Sequence, residues 1–150
     1  MENLFVFSNV LVVPFWALMI GLPGWRWTRH IIGSPWVVAP AALLYAWLVL
    51  PRLPLLFSAL ANPQLPAIAA MLGTPDGATI AWAHFLAFDL FVGRWAYLDS
   101  REQGISAWIM APVLFFTLML GPIGFLSYLA VRAVDRARRA PELSVFAKGA

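Results

Sequence analysis

The chain has 150 residues, of which 62% are hydrophobic and 11% charged, with a mean hydropathy of +0.80, a formal charge of +3 and a pI near 10.0. Those proportions exclude an ordinary soluble domain and point to an integral membrane protein with no separate soluble domain. The basic residues fall in helix flanks and a tail, where anionic lipid headgroups account for them, so no nucleic-acid partner is expected. Cysteine is absent, which removes disulfides, thiolate metal sites and a cysteine nucleophile.

Four apolar segments follow in chain order, at roughly 4–22, 36–57, 78–98 and 107–131, each near the ~20 residues needed to span a bilayer. The expected fold is all-α: a single membrane domain over 1–150, built as a transmembrane four-helix bundle and ending in a basic tail, 132–150. The first segment has no basic leader or small-residue cleavage site and contains Asn9 and Pro14, so it reads as a retained helix. Between the second and third segments, LPAIAAML is too short to span and reads as an interfacial helix between two Pro/Gly turns. In the fourth, Pro122 cannot donate a backbone hydrogen bond to the Leu118 carbonyl, which predicts a kink. Gly121 and Gly124 beside it would let another backbone or a flat ligand approach closely. Arg132, Arg136, Arg138, Arg139 and Lys148 form the densest basic cluster, which places the tail, and with four spans Met1 too, on the cytoplasmic side.

The third segment carries His84, Asp89 and Arg94 inside hydrocarbon, where ionisable groups are costly and mark either a site or a packing pair. Asp89 and Arg94 are five positions apart, about 140° around a helix, outside the spacing at which side chains meet. Asp89 is therefore expected to find its partner on another helix, with Arg52 and Tyr45 the candidates. Because the charged positions point several ways, this helix is expected to be largely enclosed by protein. Matching depths in an up-down bundle puts Asn9, His84 and Arg52 on one level, and Trp16, Tyr45, Asp89 and Gly121 on another about 7 Å deeper. Trp16, Trp47, Trp82 and Trp95 lie within the segments, as lining for a long conjugated or isoprenoid ligand or simply as filling. Two histidines are too few for a di-iron oxygenase or a bis-histidine haem, so no metal or cofactor is expected. Cofactor-free proton chemistry remains.

Three stretches, SNVLVVPFWALMIGLP from Ser8, HFLAFDLFVGRWAYLD from His84 and LGPIGFLSYLAVR from Leu120, carry a resemblance to a known family. It is the small membrane family that includes the plant neoxanthin-synthesis proteins needed for abscisic acid precursors. The chain resembles a bacterial member, which implies a multi-pass protein of a bacterial inner membrane. The resemblance also implies a role in xanthophyll metabolism, the isomerisation of an epoxy-carotenoid to an allenic one. Its implied partners are a carotenoid or other isoprenoid lipid, the bilayer, and a further membrane protein or second copy of the chain.

That reaction is redox-neutral and needs an acid at the epoxide oxygen and a base to remove a carbon-bound proton. The sequence offers Asp89 as base and His84 as proton donor, or the reverse. Arg94 or Arg52 would balance charge and Asn9 would orient a hydroxyl. Trp16, Tyr45, Trp95, Gly121 and Gly124 complete the expected substrate-binding set. The competing reading is a non-catalytic pigment-binding or assembly subunit of a membrane complex, using the same aromatic lining.

Overall fold

The structure, a computed structural model, describes residues 1–148, with side chains through residue 139. Its helices are α1 (Glu2–Gly21), α2 (Arg26–Gly33), α3 (Ala39–Val49), α4 (Leu53–Ala61), α5 (Leu65–Leu72), α6 (Pro75–Glu102) and α7 (Ala107–Lys148). Short 3-10 turns, Pro35–Val37 and Leu50–Arg52, flank α3, and the described residues contain no strand. The all-α expectation holds.

Three helical stretches are long and apolar enough to cross a membrane: Glu2–Gly21, Ala39–Ala61 and Ala107–Arg139. The third predicted segment lies within α6, which is long enough but stands outside those three. Asp76, Asp89, Arg94, Asp99, Arg101 and Glu102 lower its hydropathy. The second predicted segment is not one helix. Pro51 and Pro54 each remove a backbone donor, and the chain passes through the Leu50–Arg52 turn before α4 begins.

Contacts divide the chain into two compact units, one of Met1–Ala17 with Ser34–Phe91, the other of Leu18–Gly33 with the residues from Val92 onward. The division falls inside α1 and α6. In the first unit, Leu48, Ile80 and Ala83 form a buried cluster, against which Leu4, Leu44, Tyr45 and Val49 pack. The buried positions of α1 in this unit, Ser8, Val12 and Trp16, recur every four residues, the spacing of one helical face. α6 opens on a Thr-Pro-Asp sequence in which the Thr74 hydroxyl accepts from the Gly77 N–H at 3.0 Å. Proline follows at the first helical position and an acid at the second, so the start of the helix is written locally. Gly77 is required there, because a Cβ would sit 2.0 Å from the Met71 carbonyl oxygen at the end of α5.

The second unit is organised by two turns. α6 ends in a Schellman arrangement: Gly104 has a left-handed φ of 68°, and the Ile105 N–H reaches the Ser100 carbonyl at 2.9 Å. α7 breaks its helical geometry at Leu120 and Gly121, two and one residues before Pro122, as the missing donor requires. The bend is severe. Residues seven apart on a straight helix are separated by ~10 Å along its axis, yet a Cβ on Gly124 would lie 2.2 Å from the backbone nitrogen of Thr117. Beyond the bend the helix continues, so the stretch from 132 to 139 expected as a tail is helical. Arg139 pairs there with Asp135 at 3.0 Å. Lys148 of the expected basic cluster lies outside the residues whose side chains are described.

One expectation fails on α6 itself. Its buried positions include Ala83, Leu86, Ala87, Leu90, Ala96, Tyr97 and Ser100, a single stripe of mostly small and aliphatic residues. On the opposite side Phe85, Phe88 and Phe91 are 56%, 59% and 53% exposed. The helix is therefore not largely enclosed by protein. The sequence reading gave weight to the charged positions alone, whereas small residues decide which face packs closely and aromatic rings need no protein cover in a bilayer.

Candidate functional site

The first unit contains a cavity of about 730 Å3, within the range of small-molecule sites. Its walls are mainly aliphatic and aromatic, from Leu53, Leu56 and Leu60 of α4 and Ile68 and Met71 of α5 to Ile80 and Phe85 of α6. Neither α4 nor α5 has a fully buried residue, and much of their apolar surface is exposed. Polar groups enter it from two places. Arg52 and Asp76 form an ion pair with side chains 33% and 46% exposed, and Arg52 also donates to the Leu48 carbonyl at 3.0 Å. This pair brackets the α4–α5 segment, joining the residue before it to the helix after it. Further along, Tyr45 and His84 meet edge to face with ring centroids 5.1 Å apart, and His84 stacks on Phe88 at 4.7 Å. Two groups able to exchange protons thus face one apolar space.

Tyr45, Arg52 and His84 of the expected set line this cavity together. The depth matching is corrected. Arg52 lies opposite Asp76 instead of His84, and Tyr45 lies opposite His84 instead of Asp89. Both partners are displaced in the same direction along α6, so α3 packs against α6 in a register that the segment limits 36–57 and 78–98 did not give. Asn9 bonds within the same unit, its amide nitrogen donating to the Phe5 carbonyl at 2.8 Å and its oxygen accepting from Trp82 Nε1 at 3.1 Å. Trp16 is 2% exposed, and its Nε1 has no acceptor among the described residues. Asp89 is half-buried and lines neither this cavity nor the smaller one beside it. Among the described residues no hydrogen bond or ion pair reaches its carboxylate, so the inter-helix partner expected for it is not found.

The remaining expected residues belong to the second unit. Arg94 donates from Nε to the Ile32 carbonyl at 2.7 Å and from Nη2 to the Gly33 carbonyl at 2.5 Å. It satisfies the orphan carbonyls at the end of α2, a structural use of a helix-terminal cation. Trp95 meets Tyr128 edge to face at 5.3 Å, with the Arg132 guanidinium 5.8 Å above its ring. Gly121 and Gly124 are buried at the α7 bend.

Sequence reasoning missed the strongest polar cluster of this unit. Asp99 accepts a hydrogen bond from the Tyr128 hydroxyl and pairs with Arg132, whose Nε lies at 2.8 Å and Nη2 at 3.0 Å. The signal was present: Tyr128 and Arg132 stand four apart on one helical face, at the end of the fourth-segment motif. Asp76 was missed as well, although the acid in the first turn of a capped helix is a recognisable position. Among the described residues no group of three or more His, Asp or Glu side chains is placed to hold a metal ion.

No curated protein and no solved structure matches the chain. A family model described as ABA4-like, ABA DEFICIENT 4-like, matches residues 3–128, from the start of α1 to Tyr128 beyond the bend of α7. That family is tied to neoxanthin-related carotenoid metabolism, and with most of its length matched the chain belongs to the ABA4-like family.

Proposed function

We propose that the protein is a multi-pass membrane isomerase that takes a carotenoid from the bilayer, seats an epoxy end ring in the 730 Å3 cavity, and converts it by proton transfer alone. The observation that carries the reading is the Tyr45–His84 contact at 5.1 Å within mainly apolar walls. A base and an acid held that close can act on adjacent atoms of one ring system. His84 as base removes the proton from the chain carbon next to the ring. The electrons of that C–H bond form the new double bond, the epoxide C–O bond breaks, and Tyr45 delivers a proton to the departing oxygen. Atoms and electrons balance, with no oxidant or reductant. The Arg52–Asp76 pair supplies a fixed dipole at the polar edge of the ring.

Asp89, the base of the sequence reading, is reassigned because it lines neither cavity. His84→Gln and Tyr45→Phe should each lower conversion of an epoxy-xanthophyll by at least ~100-fold while the purified variants still retain pigment. Asp89→Asn should stay within about threefold of the parent, far less than loss of a positioned acid or base would cost. Loss of turnover in Asp89→Asn with His84→Gln still active would return the role to Asp89. A parent protein that holds the pigment and never converts it would replace the enzyme by the pigment-binding subunit.

A further inference from the structure

The first unit has a second, smaller cavity of about 240 Å3, bounded by Val38 and Ala42 on one side and Ala87, Phe88 and Phe91 on the other. Its walls are apolar throughout. Its residues continue the register of the first cavity. Stepping back three residues from Tyr45 gives Ala42, and stepping forward three from His84 gives Ala87. Seven residues in the same directions give Val38 and Phe91. Arg52 opposite Asp76 extends the same antiparallel pairing the other way. Val38, Ala42, Tyr45, Val49 and Arg52 follow four-three-four-three spacing, one face of a helix, so both cavities lie along a single seam between α3 and α6. His84 belongs to the lining of the first and Phe88 to that of the second, and their rings stack at 4.7 Å.

We propose that the two cavities are successive stretches of one cleft that holds an elongated apolar ligand, its ring end between Arg52 and His84 and its chain over Ala42, Phe88 and Phe91. From Asp76 to Phe91 the cleft runs about 22 Å at the helical rise. A compact ring occupies only the first stretch. Phe88 and Phe91, three apart and each more than half exposed, offer ring faces to an extended conjugated chain, and nothing in that stretch is charged. Discrimination between long and short ligands then resides in residues that take no part in proton transfer. This inference rests on the reading of the first cavity as an end-ring site and adds the place of the chain.

The test compares two probes, β-ionone epoxide, which is an end ring almost without a chain, and a full-length epoxy-xanthophyll. Ala42→Trp fills the second stretch from an exposed position and should weaken the full-length probe about tenfold, with the short probe unchanged. Phe91→Ala empties the same stretch without adding bulk and should weaken the full-length probe about threefold, again sparing the short one. Leu43→Trp, on the neighbouring exposed position of α3, should alter neither. Full-length binding unaffected by both cleft variants overturns the chain track and leaves the end-ring site standing. A parent protein that binds neither probe overturns the end-ring site and the track with it.

Discussion

The two units of this chain both gather ionisable and aromatic side chains, and they use them oppositely. In the first, Tyr45 and His84 touch only at their ring edges and face an apolar space. In the second, the Tyr128 hydroxyl and the Arg132 guanidinium both bond to the Asp99 carboxylate. A carboxylate already engaged by two donors fixes how helices meet and offers a ligand little. An incompletely matched set beside a cavity is the arrangement that chemistry requires. The comparison predicts that substitutions in the second unit act on folding, whereas those in the first act on ligand handling.

The largest expected effect lies at the α7 bend. Gly124→Val places a branched side chain where even a Cβ would stand 2.2 Å from the Thr117 backbone. Backbone cannot yield as a flexible side chain can, so a loss of at least ~3 kcal/mol is expected. Thermal unfolding in detergent measures it, and a variant as stable as the parent would show that the two limbs of α7 do not pack closely.

Next comes the polar cluster. Asp99→Leu leaves Arg132 without its carboxylate, and with side chains 14% and 25% exposed that pair is close to buried. Removing one member of such a pair costs ~3 kcal/mol, mostly from the cation left behind. Asp99→Asn, which keeps an acceptor for the Tyr128 hydroxyl, should lose less. The contrast sharpens if Asp99→Asn, once folded, binds carotenoid as the parent does. Loss of binding from a fully folded Asp99→Asn would break it, by giving the second unit a role toward the ligand.

How far these assignments were legible in the sequence depends on the distance over which each is decided. The bend was readable because Pro122 dictates a missing donor within one turn, and the all-α class because apolar runs of that length have few other solutions. The Tyr45–His84 contact was not readable. It is fixed by the register of α3 against α6, which is decided by packing between residues far apart in the chain, such as Leu48 against Ile80 and Ala83. Arg94 shows the complementary failure. Residue type and hydrophobic surroundings marked it as unusual, but only the path of α2 reveals that its guanidinium is spent on the carbonyls of Ile32 and Gly33. A charge within an apolar run identifies a costly residue and leaves open what offsets the cost.

The smallest expected effect is also the finest probe of the difference between the units. Arg52 and Asp76 form an ion pair as the second unit's groups do, but their side chains are 33% and 46% exposed and they stand at the cavity. A pair so open to its surroundings contributes about 1 kcal/mol or less to stability. Asp76→Asn preserves shape and the α6 start, because the Thr74 cap on Gly77 does not involve it. It should therefore barely move the unfolding midpoint. If the pair orients the ring, the same substitution should raise KM for a hydroxylated epoxy-xanthophyll about threefold, the scale of one weakened hydrogen bond, with kcat nearly unchanged, since the acid and base at Tyr45 and His84 remain. A stability loss as large as that of Asp99→Leu, with KM unaltered, would make Arg52–Asp76 a structural clasp of the second unit's kind and leave the cavity's chemistry to Tyr45 and His84.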